Sequence, residues 1–325
     1  MLSAVTGASG HLGGSLVRLL LMEGRTVRVL ARSDRRSFEG LEVQIVEGDI
    51  FDPAALRALT EGAETVFHLA GRISIVGAEG GLVQSTNVEG VRNVIQACQE
   101  SGVRRLVHCS SIHAFDTNPS DQLIDETRRL ALGHGHAVYD RTKAEGQRAV
   151  LEAAREGLDA VIINPGAIVG PFDFKVSRMG SVFLDICHGR LPMLINGGYN
   201  WVDARDVSQG ALLAEIKGRS GECYLLTGHW VHICEVSRMI GRITGRKTRQ
   251  IAAPLWLASA ASWLSLAWGR LGGGTPKFTP AAIEAIRSHR HISHEKASRE
   301  LGYAPRPFEE TVRDTLEWFR QAGML

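Results

Sequence analysis

The first thirteen residues, Met1-Leu-Ser-Ala-Val-Thr-Gly7-Ala-Ser-Gly10-His-Leu-Gly13, constrain the chain more than any other stretch. They read as a short apolar strand, a turn with glycines at positions 7, 10 and 13, and then a helix with apolar periodicity through Leu16, Leu19 and Leu20. Glycine lets a loop backbone approach a pyrophosphate with no Cβ in the way, and the amides at the following helix N-terminus supply donors and partial positive charge. Gly7, Ser9, Gly10, His11, Leu12 and Gly13 are therefore candidate dinucleotide contacts. A tight turn between strand and helix also selects glycine, so the rest of the chain must decide.

From Thr26 onward strand and helix signals alternate. Residues 26–31, 43–46, 65–69, 105–109 and 160–164 are β-rich, and helical patterns lie between them at 53–60, 82–101 and 138–156. Strands joined by helices of this length imply right-handed crossovers and a doubly wound parallel sheet, an α/β fold that binds ligands at its C-terminal strand ends. At 325 residues there is room for a second part, so residues 1–171 are expected to form the dinucleotide-binding domain and 172–325 a smaller, mostly helical substrate domain. Within the latter, a helix at 206–217 and a strand at 222–226 are expected to return to the sheet, giving a segment of the first domain at 201–228.

The strand ends carry the specificity signals. An acidic residue after the second strand would accept from the adenosine ribose and repel a 2′-phosphate; here Ala31 and Arg32 stand, with Arg35 and Arg36 beyond, which favours NADP with NAD as the alternative. Asp49 and Ile50 close the third strand where an adenine could lie. Ala70 and Gly71 end the fourth with small residues that leave room for the dinucleotide.

Chemistry is expected from the fifth strand and the next helix. Ser111 follows the strand end, and Tyr139 and Lys143 stand four apart on one helical face. A free phenol titrates at about 10, and an adjacent ammonium with a positive nicotinamide would bring it towards working range. Lys143 can also hold the nicotinamide ribose, and Ser111 can orient a carbonyl or hydroxyl for hydride transfer.

With these residues in view the sequence resembles the extended (atypical) short-chain dehydrogenase/reductases, in the dihydroflavonol 4-reductase-like and NAD-dependent epimerase/dehydratase branch. The resemblance rests on Thr6-Gly7-x-x-Gly10-x-x-Gly13, Gly48-Asp49, His68-Leu-Ala70, Asn87, Ser110-Ser111, Tyr139-x-x-x-Lys143, Asn164-Pro165-Gly166-x-x-x-Gly170-Pro171, Trp201-Val-Asp203-x-x-Asp206 and Lys296-Ala-x-x-x-Leu301-Gly-Tyr303-x-Pro305. It implies a Rossmann fold, catalysis by Ser111, Tyr139 and Lys143, and Pro165 and Ile168 near the nicotinamide. Asn164 replaces the arginine common before that proline, and His113 puts an unusual polar group two residues after the serine; His113 and Pro171 are the candidate substrate contacts. Homodimers are frequent among such proteins, often through the tyrosine-bearing helix, and a monomer is the alternative.

Composition excludes several other classes. Lys plus Arg (37) nearly balances Asp plus Glu (35), and no dense basic run pairs with aromatics, so nucleic acid is not expected as a partner. The five scattered cysteines form no Cys-x-x-Cys pair, and no basic leader precedes the first strand, so free thiols and a cytoplasmic location are expected. His289, His291 and His294 lack a completing constellation, and no metal is expected. Residues 251–268 are uncharged and carry Trp256, Trp263 and Trp268, but with Pro254 inside they fall short of a transmembrane span. They read as a helix of the substrate domain, or as a greasy lid over a large apolar substrate that could also rest on a membrane surface. Three functions follow: NADP-dependent hydride transfer to or from an apolar carbonyl or alcohol, epimerisation or dehydration of a nucleotide sugar on tightly held cofactor, and a non-catalytic dinucleotide sensor. The last has no need of Ser111, Tyr139 and Lys143 together.

Overall fold

A computed structural model of the chain describes residues 1–119, 121–191, 193–249, 251–254 and 291–325. The first half runs β1 (Leu2–Thr6), α1 (His11–Met22), β2 (Thr26–Ala31), β3 (Gln44–Glu47), α2 (Pro53–Thr60), β4 (Thr65–His68), α3 (Leu82–Gln84), a π turn (Ser85–Glu89), α4 (Gly90–Glu100), β5 (Arg105–Cys109), α5 (Val138–Arg155) and β6 (Ala160–Pro165). The second runs β7 (Ala167–Val169), α6 (Arg178–Cys187), β8 (Leu194–Ile195), β9 (Gly198–Asp203), α7 (Ala204–Lys217), β10 (Cys223–Leu226), β11 (His229–His232), α8 (Ile233–Thr244) and β12 (Ala252–Ala253). Past the undescribed stretch come α9 (Glu295–Leu301) and α10 (Phe308–Gln321).

Seven strands form one parallel sheet in the order β3-β2-β1-β4-β5-β6-β10. Helices cover both faces, so the inner strands are largely buried and β6 is buried at every position, whereas the edge strand β3 is mostly exposed. Val5, Val29, Phe67, Val107 and Ile163 face α1 and α7, meeting Leu16, Leu20 and Val207. Ala4, Val66, Leu106 and Ile162 face the other way, towards Leu56, Leu59, Val94 and Val150 of α2, α4 and α5. Strand order reverses between β1 and β4, so the ligand crevice opens at the C-terminal ends of these strands.

One expected element differs. The pattern at 82–101 suggests a single helix, yet Ser85–Glu89 winds as a π turn between α3 and α4. Buried Val83, Val88, Val91 and Val94 keep an inward face on either side, so apolar spacing did not reveal the extra residue. At the turn α5 comes close: a Cβ on Gly146 would lie 2.3 Å from the Asn87 carbonyl.

Beyond β6, strands β7, β9 and β11 form a second sheet and β8 pairs with β12. With α6, α8 and α10 they enclose Phe183, Val236, Ile240, Val312, Leu316 and Phe319 around a fully buried Trp201. The Trp201 indole donates to the Val231 carbonyl at 3.0 Å, satisfying its one polar atom. Helix α9 returns to the large sheet, where Ala297, Leu301 and Tyr303 pack with Tyr224 and Leu226 of β10. Among the described residues no helix is long and apolar enough to cross a membrane. Trp256, Trp263, Trp268 and His289 lie outside the described residues.

Candidate functional site

The glycine turn is built by close packing. Gly7 sits at φ +73°, and a Cβ there would lie 2.6 Å from the Ala70 amide at the end of β4; one on Gly13 would lie 2.2 Å from the Gly7 carbonyl. Helix α1 begins with no side-chain cap and no acid in its first turn, so its N-terminal amides are left for an external anion. They open on a cavity of about 1160 Å³ that touches Gly7, Gly10, His11, Leu12 and Gly13. The donor set and the absent side chains fit a dinucleotide pyrophosphate. Ser9 is turned aside, its hydroxyl donating to the Asp34 carbonyl at 2.6 Å.

At the end of β2 the arginines separate by partner. Arg35 pairs with Glu47, and Arg36 clasps Asp34 at 2.9 Å, its hydrogen bonds pulling that carboxyl down to about 2. Arg32 is 75% exposed, with only a loose 3.6 Å approach to Asp49. Asp49 also accepts from the Phe51 amide at 3.1 Å. Ile50 is buried against Gly90 of α4 and belongs to the core.

Farther into the cavity Gly71, Ser111, His113, Tyr139, Lys143, Pro165 and Ile168 share one wall. Lys143 is buried and donates from Nζ to the Cys109 carbonyl at 2.9 Å, which fixes the ammonium at the end of β5; burial lowers its pKa. Burial likewise pushes the Tyr139 phenol above its ordinary value; the nearby Ser111 hydroxyl and the Arg178 guanidinium pull it back, while the Asp140 carboxylate adds to the rise. The expected descent of the phenol towards neutrality is thus absent in the protein alone, because desolvation wins.

A buried polar layer supports this wall. Asn164 donates from Nδ2 to the Ser111 carbonyl at 2.8 Å and to Gln147 Oε1 at 2.7 Å. Asn87, on the π turn, accepts from the Arg72 amide and donates to the Arg72 carbonyl and to Thr142 Oγ1, tying the loop after β4 to α5. Thr6, His68 and His108 lie side by side on β1, β4 and β5; Thr6 Oγ1 is 2.7 Å from His68 Nδ1, and the two imidazoles stack at 5.2 Å.

The substrate end is mixed near the phenol and apolar beyond it. His113 Nδ1 stands 3.0 Å from Asp140 Oδ1, and its ring meets Tyr139 edge-on at 5.5 Å. His11 Nε2 donates to the Pro171 carbonyl at 3.0 Å, so Pro171 is held by the first residue of α1 instead of lining the cavity. Met179, Val182, Leu191, Leu194, Ile195 and Ile233 form the far wall. Of Lys175, Arg178 and Arg190, cations that a diphosphate would need, only Arg178 lines the cavity. Sequence alone missed Asp140, Arg72 and Ile233; the other five wall residues fall in residues 172–200, at the start of the expected substrate domain, where no motif marks which side chains face the cavity. His294, within 3.4 Å of Thr227 Oγ1, belongs elsewhere in the fold, and among the described residues no cluster could hold a metal.

The arrangement has counterparts among known proteins. Residues 3–226 match the NAD dependent epimerase/dehydratase family. Sterol demethylase protein B of Methylococcus capsulatus is 36% identical over 329 residues, covering 100% of both chains. A putative dihydroflavonol 4-reductase of Synechocystis is 29% identical over 98% of this chain and 94% of its own. The crystal structure of a nucleoside-diphosphate-sugar epimerase from Pseudomonas aeruginosa superposes with a TM-score of 0.82 at 25% identity, covering 100% of this chain and 99% of that one.

Proposed function

The chain belongs to the NAD dependent epimerase/dehydratase family as an NAD(P)-dependent enzyme of the extended short-chain dehydrogenase/reductase type, and we propose that it moves a hydride between NADPH and a carbonyl or secondary alcohol of an apolar small molecule. The observation that carries this reading is the far wall. Met179, Val182, Leu191, Leu194, Ile195 and Ile233 offer a surface for a flat or greasy body, continuous with Ser111 and Tyr139. Similarity to a sterol demethylase protein and to a dihydroflavonol reductase supports the same substrate character.

In this reading the dinucleotide lies along the glycine turn, with Arg32 on the 2′-phosphate, and supplies the hydride when bound. Ser111 accepts or donates to the substrate oxygen and fixes the carbonyl. Tyr139 gives that oxygen its proton; a phenol that burial keeps neutral is suited to donate. Lys143, anchored on the Cys109 carbonyl, holds the ribose and steadies the phenolate that donation leaves. Residues 1–171 with 201–228 would serve the dinucleotide, and the remainder the substrate.

A second reading, epimerisation of a nucleotide sugar, is favoured by Arg178, which reaches the cavity near Tyr139 and could meet a phosphate. Turnover with NADPH separates the two. Apolar aromatic, steroidal or terpenoid carbonyls should be reduced while UDP- and GDP-sugars give no turnover. Tightly bound NAD in the purified protein, with faster epimerisation of a sugar than reduction of every carbonyl, would replace the first reading with the second.

A further inference from the structure

Between Glu235 and Glu284 the sequence contains no Asp or Glu, while Arg238, Arg242, Arg246, Lys247 and Arg249 fall within twelve residues. This one-sided charge is at odds with the near balance of the whole chain, 37 basic against 35 acidic residues. In the fold it occupies the end of α8 and the segment leading to β12. Arg242, Arg246, Lys247 and Arg249 are exposed. Among the described residues, two cations of the group have only distant acidic neighbours, Arg238 at 3.7 Å from Glu235 and Arg242 at 3.8 Å from Glu309. Arg246 is braced on the Cys187 carbonyl at 3.1 Å, which ties the basic segment to the end of α6.

That segment runs directly to the apolar end of the cavity. Ile251 accepts through its carbonyl from the Leu194 amide, and β12 pairs with β8, whose Leu194 and Ile195 belong to the far wall. The rim here is apolar and open to solvent: Ile251 is 83% exposed, and the cavity residues Met193 and Ile73 are 44% and 57% exposed. Cations next to protruding apolar side chains suit one kind of partner, an anionic lipid surface, which accepts apolar groups at its acyl boundary and attracts Lys and Arg through its surface charge. A nucleic acid would use the cations but leave Ile251 and Met193 without apolar neighbours.

We infer that this face docks on anionic bilayers, with Arg242, Arg246, Lys247 and Arg249 on the headgroups and Ile73, Met193 and Ile251 at the boundary. The cavity mouth then faces the lipid, and an apolar substrate enters from the bilayer without crossing water. Docking itself does not depend on the reductase reading, since it is read without substrate or cofactor.

The test is sedimentation of the full chain with vesicles of phosphatidylcholine alone and of phosphatidylcholine mixed with phosphatidylglycerol. Binding should appear only with the anionic lipid and weaken as salt is raised. Lys247→Gln with Arg249→Gln should reduce it on the order of 25-fold, about fivefold for each cation lost. Ile251→Ser should weaken it again, with the thermal midpoint and the turnover of a water-soluble carbonyl unchanged in both variants. Equal binding to neutral vesicles, no binding to either, or indifference to the double substitution would overturn the inference. Tighter retention on duplex DNA or RNA than on anionic vesicles would overturn it as well, and would assign the strip to nucleic acid.

Discussion

Asn164 donates to the main-chain carbonyl of Ser111 at 2.8 Å and, with the same amide nitrogen, to Gln147 at 2.7 Å, so the next-to-last residue of β6 also holds the segment just past β5. Both acceptors lie in the buried layer beneath the site. Asn164→Ala removes the two donated bonds together; it leaves the buried Gln147 Oε1 unmet, while the Ser111 carbonyl keeps the Ala114 amide at 3.0 Å. A loss on the order of 1–3 kcal/mol is expected in urea unfolding, the cost of one unmet buried group. A loss below about 1 kcal/mol would mean that the layer rearranges without Asn164.

Tyr139→Phe keeps the ring and deletes only the hydroxyl. Turnover should fall by about two to four orders of magnitude, the scale of a missing general acid, with dinucleotide affinity nearly constant. Retention of more than about a tenth of the wild-type rate would remove Tyr139 from proton transfer.

Arg32→Ala tests cofactor choice. Arg35 and Arg36 are engaged by Glu47 and Asp34, whereas Arg32 is loosely held and exposed. NADPH should bind about 1.5–3 kcal/mol more weakly, with NADH almost unaffected, the range for hydrogen bonds to charged groups. Equal losses for both in titration calorimetry would assign Arg32 to the fold or to contacts common to the two cofactors.

Burial and the nearby Lys143 ammonium lower His68 from 6.5 to about 3, and His108 is held well below 6.5 by the same causes. Below that pH the unfolded chain takes up protons that the folded chain refuses. Stability should therefore be complete above about pH 6.5 and fall as the pH drops, at about 1.4 kcal/mol per histidine per unit. Urea midpoints measured from pH 7.5 to 5 would show this decline, and His108→Phe should make it shallower. A flat profile in the wild-type chain would mean that the pair charges inside the fold.

The sheet was legible because buried parallel strands are written as short β-branched runs, and five of the expected strands and three helices begin or end within a residue or two of their observed bounds. Gly13, Tyr139 and Lys143 were legible because spacing alone places them. The π turn was not, since Val88 and Val91 face inward whichever way the intervening residues wind. Nor were the contacts of Asn164 with Ser111 or His113 with Asp140, which join residues 53 and 27 positions apart through side-chain directions that sequence does not carry. The far wall illustrates the same limit, because an apolar residue in α6 looks alike whether it faces a core or a cavity.

The sheet's outermost strand, β10, is drawn from residues 223–226, after the chain has left β6 at Pro165 and built much of the second unit. On a ribosome adding about 5–20 residues per second, the open edge of β6 waits about 3–12 s for its neighbour. For most of that interval, until residue 217 is made, Val107, Val161 and Ile163 also lack the cover of α7. The dinucleotide sheet is thus closed only after part of the second unit has been made, and the nascent chain passes through a stage in which a sticky, half-clad edge must be kept from other chains.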